Sequence, residues 1–115
     1  MEITTEFIDN VVVITLEFKT LDAFNIKEFK QKMNPYIQSQ TKLIFNLEKL
    51  EFIDSSGLGA LLSFVRKLIE KNGDLKLYAM SPPIKSLFDL VRFNRIFHVY
   101  NTKEEAVESF STNSK

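Results

Sequence analysis

Three adjacent polar residues, Asp54, Ser55 and Ser56, are the side chains of this chain best suited to chemistry. They stand between an apolar pair, Phe52 and Ile53, and a run of apolar residues at helical spacing. Oxygen atoms at a helix start can accept hydrogen bonds from the free amides of the first turn. A phosphoryl group on one of the hydroxyls would add about −1.5 to −2 charges where the helix dipole favours an anion. The triplet therefore supports two compatible hypotheses, a helix cap and a phosphorylation site.

The residues after this triplet predict an amphipathic helix with a nearly bare first turn. Gly57, Gly59 and Ala60 carry little or no side chain, although each glycine costs a helix roughly 0.5–1 kcal/mol relative to alanine. We interpret that cost as a sign that something must come close to this backbone. The apolar stripe recurs at the spacing of one helix face and consists of Leu58, Leu61, Leu62, Val65, Leu68 and Ile69.

The elements around this turn predict a single α/β domain. Residues 2–8 and 11–18 read as strands joined by Asp9-Asn10, a connection suited to a hairpin. Further strands are predicted at residues 42–47, 74–79 and 96–100, with helices between them and one after them. We expect a mixed sheet of about five strands, beginning with the hairpin and packed with about four helices. The pattern leaves open whether the helices cover one side of the sheet or both.

Local helix signals supply the predicted boundaries. Asn25 and Thr102 are each followed three residues later by glutamate, which predicts a capping box at the first and last helices. Gly73 is predicted in the left-handed position that ends the second helix. Ser81 is predicted to cap the third helix, with Pro82 at its first position. Ile84, Leu87, Phe88 and Val91 would form the buried stripe of that helix.

Composition narrows the classes of function. The chain has 115 residues with fifteen acidic and fifteen basic side chains, so no global field attracts nucleic acid or an anionic membrane. There is no cysteine and only one histidine, so neither a thiolate metal site nor a catalytic triad has the residues it needs. No apolar run approaches the ~20 residues of a membrane span, and the N-terminus lacks a signal-peptide pattern. We expect a cytoplasmic protein with no cofactor and no metal, organised as a domain at 1–110 and a polar tail at 111–115.

The segment Asp54-Ser55-Ser56-Gly57-Leu58-Gly59 resembles the signature of STAS domains of the anti-sigma factor antagonist type. Residues 80–90, which begin Met80-Ser81-Pro82-Pro83, are similar to the segment after the fourth strand in that family. Leu21-Asp22-Ala23 is similar to the pair that precedes its first helix. The resemblance covers residues 2–110. Residues 18–22 depart from the family pattern, because the glycine that many relatives carry there is absent, and this changes the surface near the partner site.

The resemblance implies a partner-switching protein rather than an enzyme. Unphosphorylated, it would bind an anti-sigma factor that is also a serine kinase and so release a sigma factor. The kinase would modify Ser55, the serine directly after the aspartate, and a metal-dependent serine phosphatase would reset it. An alternative is an interaction subunit of a signalling assembly that regulates a target other than a sigma factor, and a small enzyme using Asp54 and Ser55 is a third reading.

The predicted partner surface combines three turns between a strand and a helix, because such turns share one edge of an α/β sheet. It comprises Asp22, Ala23, Asn25, Asp54, Ser55, Ser56, Gly57, Leu58, Gly59, Ser81 and Pro82.

Overall fold

A computed structural model describes residues 1–112 of the chain. The strands are β1 (Ile3–Ile8), β2 (Val11–Leu16), β3 (Thr20–Leu21), β4 (Lys42–Asn46), β5 (Phe52–Ile53), β6 (Asp74–Tyr78) and β7 (Val99–Tyr100). The helices are α1 (Ile26–Ser39), α2 (Ser55–Glu70), α3 (Pro82–Leu90) and α4 (Lys103–Thr112), with a 3₁₀ turn at Phe93–Arg95. Within this part of the chain no helix has the length and apolar character needed to cross a membrane.

The main sheet has five strands in the order β1-β2-β4-β6-β7. β1 pairs with β2 in antiparallel fashion, and the remaining neighbours are parallel. Asp9 and Asn10 have φ values of 50° and 69°, the left-handed conformation that a two-residue hairpin turn requires. These features confirm the predicted α/β domain with a mixed sheet, an N-terminal hairpin and four helices. The two-residue strands β3 and β5 form a separate parallel pair that the sequence pattern did not predict.

Helices cover both faces of the sheet unequally. α1, α2 and α3 pack on one face over the larger core, whereas α4 packs on the other through Ala106 and Phe110. Phe29 lies at the centre of the larger core, with its ring centroid 5.8–6.1 Å from those of Phe18, Phe45 and Phe64. Edge and tilted contacts of this kind are favourable for aromatic pairs. They account for some of the eleven phenylalanines in the chain.

Two predicted apolar stripes are only partly correct. In α2, Leu61, Val65 and Leu68 are buried, but Ile69 is exposed, and Phe64, which was not part of the predicted stripe, is buried. In α3, Ile84 and Phe88 are buried, whereas Val91 follows the end of the helix and is exposed. The predicted strand at 96–100 is reduced to β7, because the preceding residues close the 3₁₀ turn.

The predicted left-handed position at Gly73 is wrong. Asn72 has the positive φ, 64°, and no glycine does. Gly73 is instead needed for a close approach, since an added Cβ would lie 2.0 Å from the Thr41 carbonyl oxygen. Asparagine is among the few residues that tolerate the left-handed region, which explains how it replaces glycine at this helix end.

Only one of the two predicted capping boxes forms. The Glu105 amide donates to Thr102 Oγ1 at 3.1 Å, and the Glu105 carboxylate accepts from the Thr102 amide at 3.3 Å. The Asn25 side chain makes no capping bond. Its carbonyl oxygen accepts from the Asp22 amide and its amide group donates to the Thr20 carbonyl, so it closes the loop before α1 instead.

The predicted boundary between domain and tail stays a prediction. α4 continues to Thr112, two residues beyond the expected end of the domain, and 113–115 lie outside the described residues.

Candidate functional site

Of the three residues whose side-chain oxygens were predicted to cap α2, only Asp54 does so. Its Oδ1 accepts from the Ser56 amide at 2.9 Å and from the Gly57 amide at 3.2 Å. Its Oδ2 accepts from the Ala23 amide at 3.0 Å, so one carboxylate joins the start of α2 to the loop before α1. The interpretation of Ser55 and Ser56 as N-cap acceptors is wrong, because both lie inside the helix, where their backbone is already in helical conformation.

Ser55 is the first residue of α2 and is exposed, whereas Ser56 is partly buried. The Ser55 hydroxyl makes no hydrogen bond to any residue in the described part of the chain. Both Asp54 oxygens are engaged with backbone amides, so this carboxylate is not aimed at the hydroxyl as a general base. The Ser55 hydroxyl is therefore exposed and has no described base hydrogen-bonded to it.

The two glycines of the first turns of α2 differ in what surrounds them. A Cβ on Gly57 would lie 2.5 Å from Ile53 Cγ1 and 3.0 Å from the Leu21 carbonyl oxygen, so close packing against β3 and β5 requires this glycine. A Cβ on Gly59 would meet no atom within 4 Å. The folded chain therefore explains the first glycine and gives no steric reason for the second.

The loop before α1 lies directly against the start of α2. Besides the contact of Ala23 with Asp54, the Asp54 amide donates to the Leu21 carbonyl at 3.1 Å. Within the loop, the Phe24 amide donates to Asp22 Oδ1 at 2.9 Å, a turn in which the side chain takes the place of a backbone acceptor. The structure thus brings the predicted loop residues and the predicted acceptor serine to the same edge of the molecule.

Phe24 is a candidate contact residue that the sequence pattern did not indicate. Its side chain is 98% exposed, and its neighbour Ala23 contacts the Asp54 cap. Phe52, two residues before Asp54 in the chain, is also exposed. Apolar periodicity could not separate these two phenylalanines from the buried ones among the eleven in the chain.

Ser81 connects the third predicted turn to the same region. Ser81 is the N-cap residue of α3, as predicted, but its hydroxyl donates to the Leu50 carbonyl at 2.8 Å instead of capping the helix. Leu50 precedes β5, which leads into Asp54, so this bond ties the start of α3 to the segment that positions α2. Pro82 is exposed at the first position of α3.

The charges at this edge are acidic and unpaired. Neither Asp22 nor Asp54 forms an ion pair within residues 1–112. No group of three or more acidic, histidine or cysteine side chains in that range could hold a metal ion. The edge that we define by residues 22–25, 54–59 and 81–82, the Ser55 edge, thus combines a free hydroxyl, exposed aromatic surface and two carboxylates. Polar groups beside an exposed aromatic ring are the mixture of side chains common at protein interfaces.

The chain is similar to a known protein family along most of its length. The model of the STAS domain family matches residues 2–106. The chain is similar to the anti-sigma F factor antagonist of Paenibacillus polymyxa, with 26% identity over 109 residues that cover 93% of this chain and 92% of the relative.

Two solved structures extend the comparison. The anti-sigma factor antagonist SpoIIAA in its unphosphorylated form has 28% identity and a TM-score of 0.78, over 99% of this chain and 100% of that chain. The Bacillus cell fate determinant SpoIIAA in the phosphorylated form has 29% identity and a TM-score of 0.70, over 95% of this chain and 99% of that chain.

Proposed function

Since the chain belongs to the STAS domain family, we propose that it is an anti-sigma factor antagonist controlled by phosphorylation of Ser55. The observation that carries the proposal is the exposed, unbonded Ser55 hydroxyl beside a cap that Asp54 already supplies. A kinase can reach this hydroxyl without opening the fold, and modification removes no bond that the domain needs. The relatives named as anti-sigma factor antagonists, one of them solved in a phosphorylated form, support this reading.

In the unphosphorylated state the Ser55 edge would dock on an anti-sigma factor that is also a serine kinase, and the kinase would release its sigma factor. Phe24 would supply the apolar anchor, because a fully exposed aromatic ring gains most when a partner covers it. Gly59 would let the partner backbone approach α2 closely, which accounts for a glycine that the free fold does not require.

Phosphorylation would weaken this docking through desolvation. The kinase would transfer a phosphoryl group from ATP to the Ser55 oxygen, and the hydroxyl proton would leave to a base of the kinase. The added charge of about −1.5 to −2 would lie beside the unpaired carboxylates of Asp22 and Asp54. Burying such a group against a partner without matching cations costs several kcal/mol, which is enough to reverse binding.

The domain would catalyse nothing itself. A metal-dependent serine phosphatase would remove the phosphate, and the cycle would take place in the cytoplasm, where ATP and the transcription machinery are found. Partner exchange needs neither a cofactor nor direct contact with nucleic acid, which agrees with a formal net charge of zero.

The test uses the purified serine-kinase anti-sigma factors encoded in the same genome. One of them should add a single phosphate with ATP, mapped to Ser55 by fragment mass spectrometry. Ser55→Asp should bind that kinase at least about tenfold more weakly than wild type, a change of ~1.4 kcal/mol, whereas Ser55→Ala should bind and resist release by ATP.

Ser86→Asp is the matched control, because it adds the same charge to an exposed serine of α3. It should leave kinase binding unchanged. Modification of Ser56 alone would move the acceptor by one residue. If no kinase modifies either serine, or if Ser55→Asp binds as tightly as wild type, the proposed switch is refuted.

A further inference from the structure

The far end of α3 carries an exposed surface that the proposed switch does not use. Leu90 is 78% exposed, and Val91 and Ile96 are 40% and 41% exposed. Arg92 and Arg95 lie between them in the chain and are exposed as well. These five residues, which we call the α3-end surface, hold three of the eight large apolar side chains that are exposed in the described part of the chain.

This surface lies at the opposite end of α3 from the Ser55 edge. α3 begins after the carboxyl end of β6 and runs back for nine residues, about 13 Å at 1.5 Å per residue. Its last residue, Leu90, therefore lies well away from Ser81, which is at the Ser55 edge. A partner on one of the two surfaces leaves room for a partner on the other.

A cluster of three aromatic rings holds the α3-end surface in place. The ring centroids of Phe88, Phe93 and Phe97 are 5.5–6.0 Å apart, and Phe88 and Phe97 are buried. Leu90 and Ile96 follow and precede buried members of this cluster in the chain. Because the supporting rings are packed, the exposed side chains are presented on a fixed base, which lowers the ordering cost of binding.

Arg92 is an independent sign that this surface is used. It has φ 63° and ψ 27° at the position after the α3 C-cap, where glycine is the residue without a steric cost. The guanidinium forms no ion pair or hydrogen bond within residues 1–112, and neither does that of Arg95. The chain thus keeps a strained arginine whose side chain makes no hydrogen bond or ion pair within residues 1–112.

We propose that the α3-end surface docks a protein segment that presents carboxylates among apolar side chains. Arginine is enriched in protein interfaces, whose buried centres are more apolar than the rest of the surface, and arginine pairs with carboxylates through two parallel hydrogen bonds. The only acid close in sequence, Asp89, forms no ion pair with either arginine. Charge complementarity therefore selects an acidic partner.

The same charges disfavour two other occupants. A second copy related by twofold symmetry would bring the same surface against itself and place arginine near arginine. An anionic membrane is normally recognised by clusters of roughly 4 to 8 basic residues, and only two are present here.

The first experiment places a photo-crosslinking amino acid at Leu90 of the full chain in its native cells. Phe7 is the matched control site, because it is exposed, apolar and on β1, at the other edge of the sheet. We expect one protein to be captured at Leu90 well above the level at Phe7, through a peptide rich in aspartate or glutamate among apolar residues. Capture of another copy of this chain, of lipid, or of nothing beyond the control level would overturn the proposal.

The second experiment measures binding of that peptide, made synthetically, by calorimetry. Arg92→Glu combined with Arg95→Glu should weaken the Kd at least about tenfold. Arg66→Glu combined with Lys67→Glu, an identical change of charge on exposed α2 residues, should leave the Kd unchanged. Replacing the acids of the peptide by lysine should restore binding to the arginine-reversed variant, and failure to do so would refute charge pairing.

Two single variants distinguish peptide binding at the α3-end surface from a change in stability and from an effect of the Ser55 switch. Arg92→Gly should raise Tm, because glycine relieves the left-handed strain, and should weaken peptide binding. Ser55→Asp should leave peptide binding unchanged, whatever it does to kinase binding. Equal peptide binding by Arg92→Gly and wild type would refute the role of the arginine, and loss of peptide binding in Ser55→Asp would refute independent docking.

Discussion

Replacing the two glycines of α2 by alanine one at a time should move stability in opposite directions. Gly57→Ala puts a methyl group 2.5 Å from Ile53 Cγ1 and 3.0 Å from the Leu21 carbonyl, and the carbonyl is backbone that cannot turn aside. Overpacking of this kind costs about 1–3 kcal/mol. Gly59→Ala adds a methyl group in open space and should stabilise the helix by roughly 0.5–1 kcal/mol.

The comparison between the two variants is sharper than either alone. Both exchange glycine for alanine near the start of the same helix, so the helix-propensity gain largely cancels and the difference reports the steric cost. A difference of roughly 1–3 kcal/mol corresponds to at least about 4 °C in Tm for a domain of this size, measured by circular dichroism and checked by urea titration. Equal melting temperatures, or a Gly59→Ala variant less stable than wild type, would refute the reasoning.

The same pair tests how the partner approaches. Gly59→Ala should weaken binding to the kinase partner although it stabilises the free domain, because its methyl group would stand where the partner backbone comes close. A loss of fold cannot produce that combination. If Gly59→Ala is more stable and binds the kinase as tightly as wild type, close approach at this glycine is excluded.

Three further variants test particular contacts. Asp54→Ala should lose about 1–3 kcal/mol in urea titration, because it removes an N-cap and leaves the Ala23 amide without its acceptor. Burial lowers the pKa of Lys76 below its ordinary value of 10.5, so the folded chain gives up this proton before the unfolded chain. Wild type should therefore gain stability over Lys76→Met as pH rises from neutral toward 10.5, and a flat difference would contradict this. Lys71→Met should lower Tm more than Lys67→Met, because the Lys71 ammonium donates to three carbonyls at the end of α1.

Elements of the fold could be predicted where their conformation depends on neighbouring residues and no other contact competes for the same side chains. Asp9-Asn10 forms the expected turn because its conformation depends only on neighbouring residues. The capping boxes at Asn25 and Thr102 are the same local pattern with different outcomes. The Asn25 side chain is instead hydrogen-bonded to the backbone of the preceding loop, at residues three and five positions earlier. The capping-box pattern considers only the residues that follow the cap, so it does not include this competition.

The sequence was enough to predict where the candidate site lies in the fold, but not the contacts of its individual side chains. Because turns at the carboxyl ends of strands share one edge of a sheet, the sequence predicted that Asp22, Ser55 and Ser81 lie in one region. The sequence could not show which of the three adjacent side-chain acceptors caps α2, since that depends on where the chain enters the helix. Nor could it show that Phe24 is exposed, because hydrophobicity describes a residue and not its surroundings.

The position of Ser55 inside the helix, one residue after the cap, bears on how a phosphate would act. The amides of Ser56 and Gly57, which would otherwise attract an anion, are already bonded to Asp54. A phosphate on Ser55 would gain from the helix dipole and lose by repulsion from that carboxylate, two opposing effects at short range. Its charge would therefore change the free energy of folding little and the free energy of docking much. An aspartate cap would thus let the neighbouring Ser55 be modified and act on a proposed partner with little change in the free energy of folding.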